Sequence, residues 1–221
     1  MLEWPAVTPR AVLWDMDGTL VDSEDYHWQS WRDTMAAEGV PLTFDQFRAT
    51  FGWRNDAILH QWLGDALDSA RAQRIGDAKE ELYRHLVRTG SLVPLPGAAE
   101  WVRRLHAEGW AQAVASSAPR LNIEVVLEAL RLADQFQATV SAEDVARGKP
   151  DPQVYLLAAA RLGATPARSI VVEDAPAGIE GARRAGMRSI GVRHDGVRLP
   201  ADIAVTSLAD LAPDAFSTLL I

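Results

Sequence analysis

Cysteine is absent from the 221 residues of this chain. Disulfides, thiolate catalysis and Cys-ligated zinc are therefore excluded. A basic surplus is also missing, since 22 Lys and Arg stand against 30 Asp and Glu for a formal charge of −8. Nucleic acid and acidic membrane surfaces are poor partners for such a chain, because nothing neutralises their phosphates. A small phosphorylated molecule held in one local cationic pocket remains compatible. Residues 1–10 show no basic segment followed by an apolar one, and no stretch reaches transmembrane length. The expectation is a soluble, cytoplasmic protein, with a monomer as the default. Lysine is nearly missing, with only Lys79 and Lys149 present. A chain this committed to arginine that keeps a lysine can need an ammonium there, although a GC-rich coding sequence gives the same depletion.

What is present is ample apolar material, 48% of residues, enough for a sizeable core. An unbroken apolar run at 11–14 leads directly into Asp15-Met16-Asp17-Gly18-Thr19, the pattern of a buried strand feeding a loop. Residues 22–89 then carry only helical patterns. Ser23 stands as a capping hydroxyl with Glu24 and Asp25 after it, and further helices are expected over 43–50, 54–63 and 65–89. From residue 92 the grammar changes to alternation. Helices at 98–108, 119–131, 152–162 and 176–185 separate strands at 110–115, 137–141, 169–172 and 188–192, with a short covering helix expected over 208–221. The fold class that follows is α/β. A Rossmann-like parallel sheet carries helices on both faces, formed by 1–20 and 93–221, and an all-α cap of about four helices, 21–92, is inserted after the first strand. Hinge strands near 18–22 and 90–96 would join the two.

Ligands of open parallel sheets bind beyond the carboxyl ends of the strands. The residues expected there are Asp15 and Asp17, Ser116 and Ser117, Lys149 in the turn 148–152, and Glu173 and Asp174. Four carboxylates on one rim suit Mg²⁺, a hard cation that favours carboxylate, water and phosphate oxygens, though Glu173 and Asp174 could instead cap the helix starting near Pro176. Lys149 offers a point charge for a phosphoryl oxygen or a nucleophilic carboxylate. Ser116 offers a hydroxyl ahead of a helix, as an anion ligand or an ordinary N-cap. An aspartate is ionised at neutral pH, and the acyl phosphate it forms is readily attacked by water. A neighbouring carboxyl can pass a proton to the leaving oxygen and take one from the incoming nucleophile.

The run 15–20 (DMDGTL), together with Val114-Ala115-Ser116-Ser117, Gly148-Lys149-Pro150 and 171–178 (VVEDAPAG), resembles the signature motifs of the haloacid-dehalogenase-like phosphohydrolase superfamily. The helical insert is similar to that of its subgroup containing β-phosphoglucomutase and small-molecule phosphatases. The resemblance implies Asp15 as nucleophile and Asp17 as general acid/base. It implies Ser116, with Ser117 beside it, and Lys149 as the phosphoryl-binding groups. Mg²⁺ would be held by the Asp15 side chain, the Asp17 carbonyl, Glu173 and Asp174. An acidic residue at 17 disfavours the dehalogenase branch. Gly52-Trp53-Arg54-Asn55 resembles the cap loop whose arginine grips a distal phosphate in the mutase, and the segment 25–31 with His27 and Trp28 resembles its first cap helix. One residue rather than two separates Gly52 from Arg54, so Arg54 is either a substrate ligand or a solvated charge. His27 is either a ligand or a packed histidine, while Trp28, Trp31 and Trp62 read as core and Trp53 as a pocket residue. Lys79 lies in a long polar helix and does not match the Schiff-base lysine of the phosphonate-cleaving branch. The function implied is a Mg²⁺-dependent phosphatase acting on a small phosphorylated metabolite, such as a sugar phosphate, through an aspartyl-phosphate. The alternative is a β-phosphoglucomutase-like mutase.

Overall fold

A computed structural model describes residues 8–64 and 67–220. Its contacts divide the chain into two compact units, Met1–Asp22 with Val93–Ile221, and Ser23–Leu92.

The first unit is a six-stranded, all-parallel sheet in the order β3-β2-β1-β4-β5-β6. The strands are β1 (Ala11–Trp14), β2 (Ala111–Ala115), β3 (Ala138–Val140), β4 (Ser169–Glu173), β5 (Arg188–Val192) and β6 (Ile203–Val205). β1 pairs with β2 on one side, Trp14 opposite Val114, and with β4 on the other, Trp14 opposite Val172. Its four residues are completely buried, as an unbroken apolar strand inside a parallel sheet must be. Alternate side chains supply two cores. Leu13 joins Ala113, Val140, Val154, Tyr155 and Val171 under helices α7 (Gln153–Arg161) and α8 (Pro176–Arg184). Trp14 points the other way, 6.0 Å from Phe216, which also contacts Trp101 and Trp110. Burying each such side chain contributes roughly 1.5–3 kcal/mol. The polar intruder on that side, Gln112, is fully buried but satisfied, accepting from Trp14 Nε1 at 3.0 Å and donating to the Val102 carbonyl at 2.9 Å.

The strand order places β1 at the centre, where the chain's connections switch direction, and open α/β sheets form their ligand crevice at such a point. The segments leading out of and back into this unit lie side by side. Val21 forms an antiparallel bridge with Pro94, and Leu95 N donates to the Leu20 carbonyl at 2.9 Å.

The second unit is helical: α1 (Glu24–Ala37), α2 (Phe44–Arg48), α3 (Asn55–Leu63) and α4 (Ser69–Thr89). Its core is built from Trp31, Met35, Phe47, Ile58, Leu59 and Ile75. The Glu38 carboxylate at the end of α1 accepts from Arg74 at 2.6 Å and Arg71 at 3.3 Å on α4, which ties the two helices together.

Several expectations need amendment. The tail is a 3₁₀ turn, Leu208–Asp210, followed by the single helical turn α9 (Ala215–Thr218), and the three-residue strand β6 precedes it. Three residues are too few to generate a readable alternation. Ser23 stands at the N-cap of α1 but makes no capping hydrogen bond with its side chain. The helix expected from residue 65 begins at Ser69, capped by Asp68, and residues 65 and 66 lie outside the described part. Among the described residues no helix is long and apolar enough to cross a membrane.

Candidate active site

β1 ends at Trp14, and the next residue, Asp15, anchors its main chain by donating from N to the Val172 carbonyl of β4 at 2.9 Å. Its side chain is buried and meets the Lys149 ammonium at 2.5 Å. The same Nζ lies 2.5 Å from Glu173 Oε1 at the end of β4. One lysine therefore bridges the exits of two adjacent strands. Asp174 completes the group: Asp15, Glu173 and Asp174 each place a carboxylate oxygen within 4.8 Å of the others.

Two glycines make this convergence possible. Gly18 has φ +81° and faces Asp174; a Cβ there would fall 2.2 Å from an Asp174 carboxylate oxygen. Gly178, in the first turn of α8, lies against Glu173 so closely that a Cβ would sit 1.9 Å from Oε1. Both carboxylates are thus walled by backbone that no side chain could share. Glu173 is further fixed by Ala175 N, which donates to Oε2 at 2.8 Å, and by the Tyr155 hydroxyl, which donates to Oε1 at 3.1 Å. Glu173 does not cap α8 conventionally, since the N-cap there is Ala175, without a side-chain cap, and Pro176 occupies the first helical position.

The electrostatics follow from crowding. Burial pushes the Asp15 carboxyl up to about 7, with Lys149 opposing and Glu173 adding to the shift. Asp174 is pushed up to about 9 by burial, then by the charges of Asp15 and Glu173. Burial alone would lower the Lys149 ammonium, but Asp15 and Glu173 outweigh it and hold the amine protonated. Fully ionised, the three carboxylates would exceed the one ammonium by two negative charges in a largely buried cluster, which is why Asp15 and Asp174 hold on to protons. A divalent cation with hard-oxygen preference supplies that deficit, so the donor set fits Mg²⁺.

Asp17 is half-buried two residues beyond Asp15, and its carboxylate is not part of the three-acid cluster. Ser116 is buried at the end of β2, next to β1 in the sheet. Its N donates to the Val140 carbonyl at 3.0 Å, and its hydroxyl accepts from Ala118 N at 3.1 Å. Ser116 therefore shapes the loop and is not the N-cap of the next helix, α6 (Arg120–Ala129), where Pro119 stands. Ser117 follows it, half-buried.

In the helical unit, Trp53 is exposed and Arg54 is the N-cap residue of α3, its guanidinium 3.6 Å from Asp56. Trp31 is core, while Trp28 and Trp62 are only half-buried. His27 stacks on Tyr83 with ring centroids 4.2 Å apart, and its Nδ1 lies 3.0 Å from Lys79 Nζ. Lys79 faces inward from its otherwise polar helix. It is buried, 2.9 Å from Glu80, whose carboxylate also accepts from Asn55 at 2.7 Å. Both lysines of this chain are thus buried and paired with carboxylates. The polar majority of α4 concealed the one face on which Lys79 points inward.

Tyr155 was invisible to motif reading. Its signal was weak: a phenol within the apolar stripe Val154, Tyr155, Ala158, Ala159 immediately after the Lys149 turn.

Comparison with known proteins identifies the group. The model of the haloacid dehalogenase-like hydrolases matches residues 9–186. The chain belongs to the haloacid dehalogenase-like hydrolase family. Hexitol phosphatase B of Escherichia coli (strain K12) is 35% identical over 92% of this chain and 96% of that protein. β-Phosphoglucomutase of Bacillus subtilis (strain 168) is 32% identical over 91% of each. Among solved structures, CbbY from Rhodobacter sphaeroides in complex with phosphate matches with a TM-score of 0.84 at 27% identity, covering 92% of this chain and 96% of that one. Within the haloacid dehalogenase-like hydrolases, this chain therefore sits among proteins of the β-phosphoglucomutase-like subgroup.

Proposed function

We propose that this protein is a Mg²⁺-dependent phosphatase that hydrolyses a small phosphorylated metabolite, a sugar phosphate being the best fit, through an aspartyl-phosphate. The observation that carries the reading is the Lys149 ammonium held 2.5 Å from Asp15 and 2.5 Å from Glu173, with Asp174 closing an acidic cluster beside it. The names of the relatives add support: two act on hexitol phosphates and phosphoglucose, and another CbbY structure from Rhodobacter sphaeroides is in complex with xylulose-(1,5)bisphosphate.

In this reading an Asp15 carboxylate oxygen attacks phosphorus as the bond to the leaving oxygen breaks. Asp17 gives that oxygen a proton, then takes one from the water that attacks the aspartyl-phosphate. Inorganic phosphate leaves and Asp15 is restored. Lys149 and Ser116 bind the transferring phosphoryl oxygens, with Ser117 in the same loop. Asp15, the Asp17 carbonyl and Asp174 would hold Mg²⁺, with Glu173 completing the acidic set. The cation's contribution is to offset charge on the phosphoryl group. Acid-quenched turnover followed by peptide mapping tests the scheme. A phosphate on the peptide carrying Asp15 is expected; phosphate found on Ser116 instead contradicts it.

The cation requirement carries a pH signature. Asp15 and Asp174 keep protons at pH values where the unfolded carboxyls, near their ordinary 3.8, have lost them. The metal-free native state thus binds more protons than the unfolded state. Its stability is fully present below the ordinary carboxyl range and falls as pH rises through about 7 for Asp15 and about 9 for Asp174. Mg²⁺ displaces those protons, so the rise in Tm on adding Mg²⁺ is expected to be larger at pH 8.5 than at pH 6, by roughly 2–4 °C. A Tm indifferent to Mg²⁺ at both pH values removes the metal assignment.

A β-phosphoglucomutase-like reaction is the second reading, favoured by the Gly52-Trp53-Arg54 loop and by His27 in the helical unit. Conversion of β-glucose 1-phosphate to the 6-phosphate with little free phosphate would select it. In either reading Arg54, with Trp53 beside it, reads the part of the substrate away from the reacting phosphoryl group. Arg54→Ala is expected to raise KM about tenfold for substrates with a second anionic group while leaving p-nitrophenyl phosphate within about twofold. An equal effect on both removes that role.

A further inference from the structure

Tyr155 lies in the first turn of α7, six residues after Lys149, and is completely buried. Its hydroxyl donates to Glu173 Oε1 at 3.1 Å, the same oxygen that receives the Lys149 ammonium at 2.5 Å. Its ring centroid lies 5.4 Å from Lys149 Nζ, within cation–π range. Behind the ring, Gly181 of α8 leaves the necessary room, because a Cβ there would stand 3.0 Å from Tyr155 Cε2. Burial and then the Glu173 charge push the phenol well above its ordinary value, so it stays a donor. Packing alone does not call for this hydroxyl, since phenylalanine fills the same volume.

We propose that Tyr155 is a positioning residue for phosphoryl transfer: its hydroxyl holds the Glu173 carboxylate and thereby keeps the Lys149 ammonium shared with Asp15. The inference rests on the phosphatase reading above. An ammonium between two carboxylates moves toward the one less satisfied by other donors. Glu173 receives Ala175 N on one oxygen and the Tyr155 hydroxyl on the other. Each donor disperses carboxylate charge and weakens its claim on Lys149. Without the hydroxyl, Glu173 draws the ammonium toward itself, away from Asp15 and from any phosphoryl group bound there. Tyr155 thus acts on the reaction through two other side chains and does not touch substrate.

Tyr155→Phe isolates the hydroxyl, keeping the ring, its volume and its cation–π contact. Expected are a fall in kcat/KM for p-nitrophenyl phosphate of about tenfold, a rise in the inhibition constant of inorganic phosphate of about three- to tenfold, and a metal-free Tm within about 3 °C of wild type. The shift in Tm that saturating inorganic phosphate gives in Mg²⁺ buffer is a second measurement needing no turnover, and it is expected to shrink in the variant. A purely packing residue would change stability without changing how the ammonium meets an anion. An unchanged phosphate inhibition constant and an unchanged phosphate-induced Tm shift in Tyr155→Phe, beside an active wild type, overturn the role of Tyr155 alone. A wild type that neither releases phosphate nor gains Tm from it overturns the phosphatase reading and this inference with it.

Discussion

Asp15→Asn is expected to lower kcat by roughly 10⁴-fold or more while leaving the metal-free fold as stable as wild type or more so. The two halves of that result come from different features of one side chain. Asparagine keeps the shape and both polar positions of Asp15, so the contact with Lys149 at 2.5 Å can persist in weakened form. It cannot act as the phosphoryl acceptor, because the amide is uncharged and a far weaker nucleophile than a carboxylate. Removing the charge also relieves the burial and repulsion that push the Asp15 carboxyl up to about 7. The loss in rate therefore comes without a loss in Tm, which separates a catalytic role from a structural one. Retention of more than about one hundredth of wild-type kcat would remove Asp15 from the role of nucleophile.

Lys149→Met is expected to damage both rate and stability, with an opposite balance to Asp15→Asn. The side chain is only 10% exposed and stands between two buried acids. Methionine matches its length but leaves Asp15 and Glu173 facing each other without a counter-charge. Breaking a buried charge arrangement from one side costs about 3–5 kcal/mol. Loss of the ammonium that meets the transferring group should lower kcat/KM roughly 10²–10³-fold, as for a pre-organised donor at a developing charge. The sign of the pH dependence is fixed by the acids left behind. Without the lysine the Asp15 carboxyl, already raised by burial, rises further, so the variant's deficit is largest at alkaline pH and shrinks as pH falls and that carboxyl takes up its proton. A deficit in Tm that is the same at pH 5.5 and pH 8.5 would contradict the coupling of Lys149 to Asp15 and Glu173. Lys149→Arg is not expected to rescue activity, because a planar guanidinium does not fit a cavity shaped for a point charge.

Much of the α/β unit was readable because its chemistry repeats. An apolar run ending in Asp15, another ending at Glu173, and helices between strands are local patterns, and local patterns survive in sequence. That alternation also pointed to the carboxyl rim of a parallel sheet, where Asp15, Lys149, Glu173 and Asp174 gather, but the order of the strands came only with the fold. What could not be read depends on contacts between residues far apart. Ser116 looked equally like an anion ligand and a helix cap; only the loop conformation shows its hydroxyl accepting from Ala118 N while Pro119 takes the N-cap position. Tyr155 partners Glu173 eighteen residues away and has no motif of its own. Lys79 pairs with His27 across 52 residues, so its burial was hidden by the polar residues around it on α4. The hint that survived in composition was lysine scarcity, since both retained lysines are buried beside carboxylates.

Inorganic phosphate release, followed across a panel of phosphorylated sugars and sugar alcohols together with p-nitrophenyl phosphate, tests the central claim most directly. With Mg²⁺ present, steady multiple-turnover release from at least one sugar phosphate is expected, and chelating the metal should abolish it. Wild-type protein that is folded, saturated with Mg²⁺ and yet releases no phosphate from any member of the panel would contradict the account.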